Sequence, residues 1–211
     1  MIEAITFDTA HLLGDVLPSM LRLRHRVFVD RQRYQVPTFN RMEWNQFDTP
    51  AAVYLVWRDE SAAVRAVARL VPTTFPYMIK EIWPELVEER ELACRPDVWE
   101  LSRLGIDRGI PSSLRQRILG EMTCACAEFA ALNGIRSYLL VSHPHLIKTG
   151  IADAGWQTDL LSEPRQIGHY PVIAAKIHMT IDGFRNARRH YGIPNTVLRI
   201  VGEEQYQDQA A

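Results

Sequence analysis

The sequence predicts one α/β domain built on a mixed, mostly antiparallel sheet flanked by helices. Apolar residues change period along the chain, from alternating runs to runs spaced by three and four. Two β-rich runs, AAVYLVW (51–57) and VRAVARLV (64–71), are separated by the polar RDES, a hairpin signature that demands antiparallel neighbours. The 211 residues are 47% hydrophobic, with no internal repeat and no linker, enough for one sizeable core without disulfides or a structural metal.

The elements follow in order. IEAITF alternates as an opening strand. Over 12–30, Leu13, Leu17, Met20, Leu23 and Val27 recur at helical spacing, and Pro18 marks the first turn of a second helix. Residues 31–49 lack a period and contain Pro37, so they read as a loop of about 19 residues, a length that usually carries function. After the hairpin, Pro72 and Pro76 precede a short amphipathic helix over 78–87. VWELSRLGI (98–106) alternates as a strand, with Trp99, Leu101 and Arg103 on one face and Glu100, Ser102 and Leu104 on the other. A long helix over 113–132 stops at Asn133–Gly134, which suits a left-handed cap. SYLLVS is a strand, 144–154 a helix closing at Gly155, WQTDLL and VIAAKIHMT two strands, and 182–191 a last helix. The domain spans 1–211, with 201–211 as a frayed tail.

Lys+Arg 24 against Asp+Glu 25 argues against a nucleic-acid binder. No apolar run approaches the roughly 18 residues that span a membrane, and the first residues lack a basic, then hydrophobic, leader pattern. A cytoplasmic protein is expected. Cys94, Cys124 and Cys126 read as reduced thiols, the last two as helix core filler. HExxH, GxSxG, P-loop and paired CxxC motifs are absent, and His143-Pro-His145 has no third ligand at a usable spacing, so no metal is expected. Only Lys80, Lys148 and Lys176 are lysines; the other basic residues are arginines, whose planar fork suits carboxylates and phosphates.

The informative feature is charge where a fold would not choose it. Arg24 interrupts an apolar helical face, Arg69 closes an aliphatic strand, and Glu100 and Arg103 lie in a strand that otherwise wants burial. Desolvating any of these alone costs several kcal/mol, so each needs a partner or a wet cleft. The 31–49 loop offers Glu43 and Asp48. An ion-pair network and a polar cleft both satisfy this pattern.

Order and spacing make the chain resemble the acyl-homoserine-lactone synthases, the autoinducer synthases of quorum sensing. The matching pieces are RLRHRVFV, EWNQFDTPAAVYLV, ARLVPTTFPYMIKEIWP and VWELSRLGID, in order over about residues 20–108. The resemblance implies a GNAT-like fold with a V-shaped cleft. It implies transfer of an acyl group from a thioester on acyl carrier protein or coenzyme A to the amine of S-adenosylmethionine, a substrate and not a cofactor. Lactonisation would then release methylthioadenosine. Glu100 becomes the candidate base, with Arg103 and Asp48 beside it. Arg24, Arg69, Phe28, Tyr34 and Asn45 become candidate binding residues, and the 31–49 loop a cover for the substrate. Trp83 belongs to the acyl tunnel, and Ser142 and His143 lie where relatives choose the substitution of the acyl chain. Family members usually carry Trp at Tyr34, Asp at Asn45 and Phe at Trp83, so Asn45→Asp is expected to be tolerated. Arginines 115, 117, 185, 188 and 189 are candidates for docking an acidic carrier protein.

Two other classes fit part of the pattern. A GNAT N-acyltransferase using acyl-CoA should show Arg/Gln-x-x-Gly-x-Gly/Ala before the long helix, which 107–113 lacks. A non-catalytic ligand-binding module of the same fold would have little use for Glu100 and Arg103 in register with Arg69.

Overall fold

Alternation along VRAVARLV sends Val67, Arg69 and Val71 to one face and Ala66, Ala68 and Leu70 to the other, and both faces are buried. In the computed structural model, which describes residues 1–88 and 92–203, this run sits mid-sheet. Strands β1 (Ile2–Ile5), β4 (Val53–Arg58), β5 (Val64–Pro72) and β6 (Val98–Ile106) form an antiparallel block. Beyond β6 lie β7 (Ser137–Ser142), β10 (Tyr170–His178) and β8 (Thr158–Leu160). Strand β11 (Leu198–Ile200) closes the other edge beside β1, and β9 (Arg165–Ile167) pairs with β10. Among the described residues only β1–β11 and β6–β7 are parallel, so the expected mixed, mostly antiparallel sheet is found.

Helices α4 (Ser112–Leu132) and α6 (Ile181–Tyr191) cover one face. The other face takes α1 (Phe7–Ala10), α2 (Val16–Arg24), the wider π turns His25–Arg31, and α3 (Met78–Ile82). Pro18 lies in the first turn of α2, and Gly134, at φ 66, ends α4 as its left-handed cap. Gly105 lets the π turns approach β6, since a Cβ there would lie 3.0 Å from Val27 Cγ1.

Two irregularities shape the cleft. Strands β6 and β7 pair only at Val98–Ser137, Trp99–Tyr138 and Glu100–Leu139, then part, although β6 continues to Ile106. Their backbones diverge into the V. Strand β6 also carries a bulge, because Val67–Gly105 and Arg69–Ser102 leave one extra residue on β6. Arg103 takes up that residue at φ 54. The bulge corrects the simple alternation expected for β6: Arg103 turns to the face of Glu100 and Ser102, while Leu104 joins Leu101 on the α4 face.

Other expectations shift as well. The 31–49 loop contains a small hairpin, β2 (Thr38–Phe39) with β3 (Met42–Glu43), turned at Asn40 and Arg41, both at positive φ. The 78–87 helix stops at Ile82 and resumes as the 3₁₀ turn Pro84–Leu86, because Pro84 has no N–H to continue it. The 144–154 helix is α5 (Pro144–Ile147) followed by the π turn Lys148–Ala152. Strands β9 and β11 are unanticipated. Val201 is buried and its N–H donates to the Ala4 carbonyl, so the tail does not fray at 201; the remainder of that expectation, 204–211, lies outside the described residues.

Candidate active site

Arg24 ends α2 with its side chain wholly buried. Its Nε donates to Glu43 Oε2 at 2.6 Å, and its Nη1 and Nη2 donate to Asp48 Oδ1 and Oδ2 at 2.6 and 2.9 Å. The hairpin delivers Glu43 and the following turn delivers Asp48, so the aperiodic segment exists to bring acids under the sheet. Arg69 donates Nη1 to Asp48 Oδ1 (3.0 Å) and Asn45 Oδ1 (2.8 Å), and Nε to Ser102 Oγ (3.2 Å). Arg103 Nη2 donates to Glu43 Oε1 at 3.0 Å. The Tyr54 hydroxyl donates to Asp48 Oδ1 at 2.9 Å.

Glu100 stands apart. It is fully buried, and its Oε2 accepts the Ile79 N–H in the first turn of α3 at 2.8 Å. Its Oε1 has no partner, nor has Arg69 Nη2. Burial pushes the Glu100 carboxyl above the ordinary carboxylate range, against the pull of the Ile79 N–H and Arg69. Asp48 and Glu43 go the other way. Burial raises both, but Arg24 with Arg69 outweighs it at Asp48, and Arg103 with Arg24 outweighs it at Glu43. Three arginines, Arg24, Arg69 and Arg103, share Glu43 and Asp48, with Glu100 beside them.

Above the cluster, the parting of β6 and β7 opens a cleft of about 530 Å³. Six expected site residues line it: Phe28, Tyr34, Trp83, Arg103, Ser142 and His143. The other five, Arg24, Asn45, Asp48, Arg69 and Glu100, are not on its wall; all are buried behind it. The Arg103 guanidinium lies 5.2 Å over the Phe28 ring, which stacks on Tyr34. Network and cleft are therefore two layers of one site, joined at Arg103.

The Asn45 side chain sits between Glu43 and Arg69. Its Nδ2 donates to Glu43 Oε1 at 3.0 Å while its Oδ1 accepts from Arg69 and from Phe47 N. A carboxylate there would face Glu43 on one side and Arg69 on the other, which argues against the expected tolerance of Asn45→Asp. The His143 ring caps α5, its Nδ1 accepting from His145 N. Among the described residues no group of three or more His, Cys, Asp or Glu is spaced to hold one. All three cysteines are free, and Cys124 and Cys126 are buried.

Sequence reasoning missed several participants. Tyr54 and Ser102 complete the network, and Arg31, Arg108 and Tyr170 rim the cleft beside Arg115, which was expected to dock a carrier. Inward alternation on β4 signals Tyr54, but nothing local signals Tyr170. Of the arginines expected to dock a carrier, Arg117 pairs with Glu121, Arg185 with Asp182 and Arg188 with Glu128. Arg115, the docking candidate on the cleft rim, meets backbone carbonyls, its Nη1 donating to Arg108 O and Ile110 O, and Arg31 Nη1 donates to Ile106 O.

The family model for autoinducer synthases matches residues 10–187. An acyl-homoserine-lactone synthase of Acinetobacter baumannii is 31% identical over 161 residues, covering 73% of this chain and 87% of that protein. One of Pseudomonas aeruginosa is 30% identical over 167 residues, covering 78% and 83%. Among solved structures, the CoA-dependent acyl-homoserine lactone synthase BjaI with SAM and isopentyl-CoA superposes with TM-score 0.85 at 26% identity, covering 96% of this chain and 93% of that one. An N-acetyltransferase of Lactobacillus plantarum, at TM-score 0.54 and 13% identity over 85% and 99% of the two chains, shares the fold alone. No helix of the described residues is long and apolar enough to cross a membrane.

Proposed function

The chain belongs to the autoinducer synthase family, and from that membership we propose that it makes an acyl-homoserine lactone from S-adenosylmethionine and an acyl thioester, for quorum sensing. The methionyl amine bonds to the thioester carbonyl carbon, the carbon–sulfur bond breaks, and the thiol leaves with the proton the amine gives up. The methionyl carboxylate oxygen then attacks its own γ-carbon. The bond to the sulfonium breaks, its electron pair stays on sulfur, and methylthioadenosine is released.

The observation that carries this reading is the two-layer site. A zwitterionic sulfonium needs both signs of charge and an aromatic surface. Arg103 brings its charge to the cleft wall for a carboxylate while its Nε and Nη2 hold Glu43, and Phe28 and Tyr34 offer an aromatic surface to the cation. Glu100 is the base of this proposal, since a carboxyl held above its usual range is better matched to an ammonium proton. The unpartnered Glu100 Oε1 and Arg69 Nη2 mark where hydrogen bonding is still unsatisfied.

The donor is an acyl-CoA or an acyl carrier protein, and both bring a phosphate. Arg31, Arg108 and Arg115 converge at the cleft rim, where burial and then the Arg108 charge lower the Arg31 pKa. An anion relieves that repulsion. The BjaI complex with isopentyl-CoA supports the CoA form. Both substrates are made in the cytoplasm, which supports a cytoplasmic reaction.

The test is mass spectrometry of purified protein with S-adenosylmethionine and acyl donors. Lactone and methylthioadenosine should appear in equal amounts. Acylation of another amine without methylthioadenosine would make the chain an N-acyltransferase, and no product from any donor would make it a binding module.

A further inference from the structure

Behind the cleft lies a second cavity of about 30 Å³, lined almost wholly by apolar side chains. Leu101, Leu104, Leu119 and Leu146 line both spaces, so the two are separated only by leucine side chains. The space is enough for a water, but its lining is apolar, and apolar spaces of this kind stay dry.

Its two ends differ in stiffness. At the front, the tips of Leu146 and Leu119 converge on Gly150, at 3.0 and 3.6 Å from where a Cβ would stand. These tips are aliphatic and only partly buried, with no polar tie to hold them. At the back, Tyr138 is fully buried and its hydroxyl is tied to the Cys126 carbonyl at 3.0 Å. Trp156 is wedged against α6, its Cε3 only 2.7 Å from the position of a Cβ on Gly183, so the indole cannot retreat. Its Nε1 is buried without a partner.

We infer that this cavity is the blind end of the acyl site, with Leu119 and Leu146 as its gate and Trp156 and Tyr138 as its fixed floor, and that it selects donors with short aliphatic tails. The inference rests on the synthase reading for the identity of its occupant. The tail parts the leucines, replaces the void and meets the floor soon after. Each methylene that finds room should tighten binding about fourfold, and each one beyond the floor should weaken it.

The experiment is calorimetric titration of the wild-type chain with butanoyl-, hexanoyl-, octanoyl-, decanoyl- and dodecanoyl-CoA, without S-adenosylmethionine. Affinity should rise on the order of tenfold from butanoyl to hexanoyl and fall from octanoyl onward. Gly150→Ala, whose backbone accepts alanine, should push Leu146 into the gate and move the optimum to shorter tails. Trp156→Phe removes the unpartnered N–H and lowers the floor, so its optimum should move to longer tails. Thermal unfolding of both variants confirms that the comparison is between folded proteins. An affinity that climbs steadily to dodecanoyl, or one optimum shared by all three proteins, overturns the assignment. Because the readout is binding, a length cut-off without lactone formation would uphold the pocket and refute the synthase reading instead.

Discussion

Arg24 and Asp48 meet as a two-pronged pair, Nη1–Oδ1 at 2.6 Å and Nη2–Oδ2 at 2.9 Å, with both side chains sealed from solvent. Asp48 also accepts from Arg69, Tyr54 and the Asn45 N–H, so one carboxylate ties its own turn to α2, β4 and β5. Asp48→Asn would leave two buried guanidiniums under-compensated. The expected loss is about 3–5 kcal/mol of stability, read as a lowered urea midpoint. An unchanged midpoint would mean that the pair is not buried as described.

Acid should unfold the chain through the same carboxylates. Asp48 and Glu43 have folded pKa values below their unfolded ones. Their contribution is complete above the unfolded values, about pH 4 for carboxylates, and is lost as pH falls through the folded values. Glu100 has the opposite sign: its raised pKa favours the folded state as pH drops through that value. Urea midpoints at stepped pH should fall steeply in the acid range, and less steeply in Asp48→Asn. Equal slopes in the two proteins would contradict this.

Most of this site was legible in the sequence because isolated charges on apolar periods have few physical explanations. Arg24, Arg69 and Glu100 sit where alternation and helical spacing place them. Arg103 was legible as a site residue but not as to its face, because a bulge shifts register without changing composition. Hairpin β2–β3 was missed for a related reason: its strands are two residues long, too short for any period, and only Asn40 hints at the turn. The depth of Glu100 depends on α3 packing over it, which no local pattern encodes.

Arg103→Lys keeps the charge but loses the fork that spans Glu43 and the cleft wall. Turnover should fall at least tenfold, with the KM for S-adenosylmethionine raised. Steady-state kinetics decide it, and wild-type constants would remove Arg103 from substrate binding.

Asn45→Asp should destabilise by about 1–3 kcal/mol, because a donor to Glu43 becomes a facing acceptor. Thermal unfolding at neutral pH checks this. A more stable variant would mean that the unpartnered Arg69 Nη2 captures the new carboxylate, and that the cluster welcomes a fourth negative charge.

Glu100→Gln bears on the central claim, that a buried carboxyl behind the cleft takes the amine proton. The substitution keeps size and an acceptor for the Ile79 N–H while removing the ionisable group. The decisive measurement is the rate of acyl transfer by this variant at saturating S-adenosylmethionine and acyl donor. The account predicts a fall of about 10²-fold or more, with S-adenosylmethionine still bound and thermal stability equal to or above wild type. Turnover near the wild-type rate would contradict it.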